Sequence, residues 1–443
     1  MKPSCDASAS TVPALPDPKF KDNEELSYTT LIRDSNEEAN EMEMYRLLAN
    51  FGDGYDGSMI NGLQSLLQWG QPSIIQKGLG LIATVQNVGR CAVLPFVPYF
   101  CDGLGRRKTI FVGAGVVLAG AVVQAFSRDV ETFLGSRVMI GCGSAFMVNA
   151  AIMLVTETAY PTQRATATAM FSAIWQGGAL VAAWTTFGTF HIANSWAWRI
   201  PSIVQAVAPL ILMVTTVFGP ESPRWLVSKG RDKEALKMLA HYHGQDDAES
   251  PIVRFQYRQI QTAIKQDKAT EWKDLMRTRG NRRRMMVIVA LAFFSQWSGN
   301  VLVAYYLNQV FHTIGITNPF TQLLVNGFLQ TENLLIALSG AFLSDRVGRR
   351  PLFIISTLGM LVTFTAQTGL TARYAESHGK GVLGFIFIFY AAYDVGYSAL
   401  FVMYTVEILP YAIRAKGLSL FYFAVNVTSI ANMQVLMLYF KEK

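Results

Sequence analysis

About ten stretches of roughly twenty apolar residues, set apart by short polar loops, leave this chain one solvent to fold in, and that solvent is lipid. An α-helix needs about 20 consecutive apolar residues to cross a hydrocarbon core about 30 Å thick. Candidate spans fall near 78–100, 109–126, 133–156, 165–189 and 198–218, then near 285–308, 322–344, 351–372, 382–404 and 416–439. The composition agrees: 51% of residues are hydrophobic and 16% charged, where soluble domains carry roughly 25% charge. The expected class is an all-α membrane protein.

The net charge of +7 does not point to nucleic acid. The basic residues sit in short loops between apolar runs, where positive charge marks the cytoplasmic face. Cys5, Cys91, Cys101 and Cys142 have no paired spacing, so neither a disulfide framework nor a metal site is implied. Residues 1–44 begin polar, carry Pro13, Pro16 and Pro18 and then many acidic residues. They read as a disordered cytosolic tail without a cleaved signal. The charged stretch 219–284, closing on Arg282, Arg283 and Arg284, reads as a cytoplasmic helical linker between bundles at 45–218 and 285–443. Within it, His241 and His243 are expected in solvent.

The two halves repeat each other. Asp102 opens Asp-Gly-Leu-Gly-Arg-Arg and Asp345 opens Asp-Arg-Val-Gly-Arg-Arg, 345 − 102 = 243 residues apart. Glu157 precedes Arg164 by seven residues, as Glu407 precedes Arg414, at an offset of 407 − 157 = 250. Two motifs recurring at nearly one offset indicate a duplicated bundle, as in transporters with parallel repeats. The basic loops alternate, which puts them and the linker on the cytoplasmic side. A cytosolic tail then requires a further span before residue 78. The candidate, 45–69, contains Arg46, Asp53 and Asp56, so parity argues for it and hydropathy against it.

In order along 52–440 stand Gly54-Tyr55-Asp56-Gly57-Ser58, the two Asp-x-x-Gly-Arg-Arg loops, Thr156-Glu157-Thr158-Ala159-Tyr160-Pro161 leading to Arg164, PESPRWL from Pro220 and SQWSGN from Ser295. In this order the chain resembles the sugar porter family of the major facilitator superfamily, and within it fungal lactose permeases and cellodextrin transporters. The resemblance implies twelve helices in two six-helix bundles, alternating access and cytoplasmic termini. Against that pattern the first helix is expected to be degraded, since Glu41–Asn50 stands where the family is apolar. The twelfth is expected to be missing, because the chain stops at Lys443 after the eleventh candidate.

The resemblance also assigns roles. Asp56 would pair with Arg137 of the fourth helix and couple proton binding to conformation, since an acid whose pKa depends on a movable cation links the two. A static ion pair aligning helices is the alternative. Asp102, Gly105, Arg106 and Arg107, with Asp345, Gly348, Arg349 and Arg350, look like cytoplasmic gate loops. Glu157, Arg164, Glu407 and Arg414 would join the same network, which parts as the protein opens inward. Positive charge that merely sets topology is the alternative there.

A sugar offers hydroxyls all round and weakly apolar ring faces, so its site should combine amides with aromatics at mid-membrane. Gln176, Gln296, Trp297, Asn300, Tyr305 and Asn333 are the candidates, with Tyr306 beside Tyr305. Gln296 and Asn300 are expected on one helix face, four residues apart. Amides in membranes also simply bond helix to helix. Phe401 and Tyr404 lie where hexose carriers often have a tryptophan. Arg90, inside an apolar helix, has no assigned role.

The expectation is a proton-coupled sugar transporter acting as a monomer in a membrane, the plasma membrane by family, with a disaccharide slightly ahead of a hexose. No cofactor, metal or catalytic residue is expected. The alternatives are a uniporter, a sugar-sensing receptor and an inactive truncated paralogue.

Overall fold

The computed structural model describes residues 37–66, 79–160, 163–266, 271–301, 307, 310–312, 315–373 and 379–441. Its first element, α1 (Glu37–Gln64), begins within the stretch expected to be tail. The polar side chains of α1 find their partners inside the bundle. Arg46 bonds the Thr158 hydroxyl, Asn50 donates to the Phe171 carbonyl at 2.6 Å, and Tyr55 donates to the Pro201 carbonyl at 2.9 Å. A buried polar group that finds its partner costs little.

The rest of the first half follows the expected spans. Pro95 and Pro98 break the second span into α2 (Leu79–Val93) and α3 (Val97–Leu104), since proline cannot donate inside a helix. Then come α4 (Arg106–Ala125), α5 (Val130–Thr158), α6 (Arg164–Thr189), and the pair α7 (Trp196–Val204) and α8 (Val207–Phe218). α1 and α6 approach until backbones touch. A Cβ on Gly54 would lie 1.9 Å from the Trp175 carbonyl oxygen, and one on Gly178 would lie 1.9 Å from that of Phe51. Small residues are what permit such contact between membrane helices.

The linker is a docked helical layer: α9 (Pro223–Ser228), α10 (Asp232–His243), α11 (Pro251–Gln266) and α12 (Asp274–Arg277). His241 is half exposed and pairs with Asp246 at 2.7 Å. His243, expected in solvent, is instead buried. Its ring bonds Gln256 at 2.7 Å and the Thr158 carbonyl at 3.0 Å, tying the linker to the end of α5. Burial holds the imidazole below its ordinary pKa.

The second half comprises α13 (Arg279–Trp297), α14 (Pro319–Val347), α15 (Arg349–Arg373), α16 (Gly379–Tyr393), a π-helical turn at Asp394–Ser398, α17 (Ala399–Ile408) and α18 (Tyr411–Lys441). Among the described residues, six helices are long and apolar enough to cross a membrane. The halves meet where α6 packs on α14 and α17, and where α2 packs on α18.

Candidate functional site

Between the halves lies a cavity of about 190 Å³. α1, α2, α5 and α6 supply one wall, and α13, α14, α16, the π turn, α17 and α18 the other. Four of the sequence candidates line it: Gln176, Gln296, Asn300 and Asn333. The expected register of Gln296 and Asn300 is not the reason. The helix breaks at Ser298–Gly299, where Gly299 takes φ +98° and a Cβ would stand 3.1 Å from the Phe364 ring and 3.5 Å from that of Phe389. Asn300 reaches the cavity from beyond the break.

Trp297 does not reach it. It is 47% exposed and stacks on Phe293 at 5.2 Å, because neighbours on a helix point about 100° apart and Gln296 takes the inward direction. Tyr305 and Tyr306 lie outside the described residues. Phe401 lines the cavity, whereas Tyr404 turns away to pack on Phe353.

One buried carboxylate went unread in the sequence. Asp394, at the head of the π turn, is fully buried and joins the halves: Gln176 Nε2 of α6 donates to its Oδ1 at 2.9 Å. Turned with its nitrogen toward this carboxylate, the Asn333 amide donates to Asp394 Oδ2 at 3.2 Å and to the Leu329 carbonyl at 3.1 Å. An ionisable residue within a span is itself a pointer to function, so Asp394 was findable in its apolar run.

Asp56 and Arg137 are both sealed in the first half. Arg137 Nη1 donates to the Asp56 backbone carbonyl at 3.4 Å and to Gln86 Oε1 at 2.9 Å. The two residues are adjacent as expected, with the described contact made through the peptide oxygen of Asp56. A second pair fills the gap left by Arg90: it bonds Asp53, one turn before Asp56, and both side chains face the cavity.

At the other end of the bundle the residues expected at a gate come together. Arg106 binds Glu157 (Nε to Oε2 3.1 Å) and reaches Asp102 at 3.6 Å. Ser222 donates to Glu157 Oε2, and Glu221 accepts from the backbone N–H of Arg106 at 3.1 Å and of Arg107 at 3.2 Å, capping α4. Burial lifts the Glu221 carboxyl above its usual pKa. The Arg107 side chain bonds the Val217 carbonyl. Thus the described ion pair of Glu157 is with Arg106.

The second half repeats the device, with Arg349 on Glu407 at 2.8 Å, while Arg414 donates to the Leu409 carbonyl at 3.4 Å. Gly105 and Gly348 have φ +98° and +89°, which glycine alone adopts readily. Arg350 is exposed; the Asp345 side chain lies outside the description.

A family model described as sugar (and other) transporter matches residues 44–441. An MFS-type transporter, oryC, of Aspergillus oryzae is 27% identical over 77% of this chain and 65% of its own length. A high-affinity glucose transporter of Kluyveromyces lactis is 30% identical over 65% of this chain and 52% of its own. The chain therefore spans less than two thirds of either relative. An arabinose-proton symporter of Bacillus subtilis is 25% identical over 82% of this chain and 78% of its own.

In fold, the chain matches the solved proton:xylose symporter XylE bound to 6-bromo-6-deoxy-D-glucose with a TM-score of 0.79, at 21% identity over 91% of this chain and 89% of that one. A match running from residue 44 to residue 441 places the chain in the sugar (and other) transporter family, multi-pass membrane transporters of the major facilitator fold and not enzymes.

Proposed function

We propose that this chain carries a small sugar across a membrane by alternating access, coupled to a proton. The observation that supports it best is the cavity between the halves, where amides from both walls converge: Gln176 from one, Gln296, Asn300 and Asn333 from the other. Amides offer donor and acceptor together, which is what a ring of hydroxyls requires. Phe401 beside them gives an apolar surface for a ring face.

Contacts between halves lie on both flanks of the cavity. Trp184 donates to Thr331 at 3.3 Å and meets the Phe328 ring; Lys416 of the second half stands 6.0 Å from the centre of the Tyr99 ring of the first. Rocking of one half on the other exchanges one set for the other. Asp56 beside Arg137 serves as the proton site, its affinity set by how near the cation stands. A proton moving down about 100 mV supplies roughly 2.3 kcal/mol. The chain works as a monomer at the plasma membrane, and a disaccharide of the lactose or cellodextrin type stands ahead of a hexose.

The experiment is uptake of labelled lactose, cellobiose and glucose by cells lacking their own sugar carriers, with and without a protonophore. Protonophore-sensitive uptake of one sugar supports the reading. Uptake indifferent to protonophore makes the chain a uniporter; none, at confirmed surface expression, contradicts transport.

A further inference from the structure

The charged pair in the cavity wall is not the pair assigned to the proton. Asp56 and Arg137 are sealed away from the cavity, at 1% and 0% exposure, whereas Asp53 and Arg90 line it. Inserting charge into mid-membrane is costly, and a buried ion pair is rarely worth more than apolar packing. A pair kept at the cavity surface therefore calls for a use there.

Its surroundings say which. Trp175, also in the cavity wall, donates from Nε1 to Asp53 Oδ2 at 3.3 Å, while Arg90 holds Oδ1 and is itself steadied by Nε to Ser144 Oγ at 3.0 Å. The indole packs against Gly57, where a Cβ would stand 3.0 Å from the ring, so its orientation is fixed. A carboxylate has about four lone-pair sites and a guanidinium five N–H donors, more than these bonds use. A fixed indole, a carboxylate and a guanidinium together offer a ring face, acceptors and donors, the chemistry that grips a polyhydroxylated ring.

The indole and the Gln176 amide face different ways in the cavity wall. Trp175 and Gln176 are neighbours on α6 and so point about 100° apart. Gln176 turns to Asp394 in the second half, and Trp175 turns to α1 in the first. We infer that Trp175, Asp53 and Arg90 form a second sugar subsite, so that the cavity takes a two-ring sugar with one ring among the amides and the other on this charged end. The inference rests on the sugar-carrier reading and names the residues that would hold the second ring of its disaccharide.

The test is equilibrium binding of cellobiose, lactose and glucose to the purified full chain by calorimetry, for the wild type, Asp53→Asn and the charge-neutral double variant Asp53→Asn/Arg90→Gln. The double variant leaves no unpaired charge, so its folding, checked by thermal melting, is the safer of the two. Loss of a charge-assisted hydrogen bond should raise the Kd for the bound disaccharide about tenfold or more, with the Kd for glucose unchanged within about twofold. An equal loss for one-ring and two-ring sugars, or no loss, assigns the pair to holding α1 against α2 and overturns the subsite while leaving the carrier reading intact. A wild type that binds glucose and neither disaccharide also overturns the subsite alone. A wild type that binds no sugar overturns both.

Discussion

Arg106 and Glu157 form a buried ion pair whose counterpart, Arg349 with Glu407, recurs in the second half. The repeat read in the sequence is thus a repeat of contacts, each carboxylate at the end of one span holding the arginine that opens another. The two copies differ in burial. The side chains of the first are 6% and 2% exposed, and those of the second 30% and 38%.

That difference predicts an asymmetry. Removing one partner of a buried pair costs about 3–5 kcal/mol, whereas an exposed pair is worth about 0–1 kcal/mol. Arg106→Gln should lower the melting temperature of the purified protein far more than Arg349→Gln. Equal shifts would mean that burial does not govern the two sites.

Gly105 and Gly348 give a second contrast. Both take backbone angles that cost about 1–3 kcal/mol for other residues. At Gly105, however, a Cβ would also stand 2.5 Å from Glu221 Oε2, while at Gly348 the nearest atom is 4.0 Å away, on Pro351. Gly105→Ala is expected to reduce folded yield well below that of Gly348→Ala. Comparable yields would remove the Glu221 contact as a cause.

Asp394 should matter to substrate. Its carboxylate accepts from Gln176 across the halves, and Asp394→Ala takes that acceptor away from an amide in the cavity wall. The expected outcome is a loss of about tenfold in sugar uptake efficiency, with Asp394→Asn retaining more. Wild-type efficiency in Asp394→Ala would exclude it from the site.

The linker should respond to acid. His243 is held neutral by burial, below its ordinary pKa, so the unfolded chain binds the proton more readily than the folded one. Stability from this site is fully present above about pH 6.5 and falls as pH drops below it. Protection factors for hydrogen exchange in α10 and α11, taken against the intrinsic amide rate at each pH, should fall between about pH 7 and pH 5. In His243→Gln that change should disappear; if it persists unaltered, another group is responsible.

Hydropathy marked ten spans because long apolar runs have few other uses, and the linker followed from its charge. The first helix was obscured by Arg46, Asn50 and Asp53, polar residues turned to helix partners or the cavity, where a span ceases to look like one. Amide positions such as Gln176 and Asn333 were legible from residue type. Trp297 misled because a one-residue step turns a side chain about 100° round the helix, and the break at Gly299 has no signature in spacing. The Asp53–Arg90 pair depends on two helices meeting 37 residues apart in sequence, and the π turn that presents Asp394 is a local register change that composition does not encode.

The most direct test of proton-coupled sugar carriage is sugar accumulation by the purified chain in proteoliposomes under an imposed inward proton gradient, with Asp56→Asn beside the wild type. The account predicts that the wild type concentrates the sugar above its outside level while the gradient lasts, and that Asp56→Asn exchanges sugar without concentrating it. Accumulation by Asp56→Asn equal to wild type, or no sugar flux in the wild type under any gradient, would contradict it.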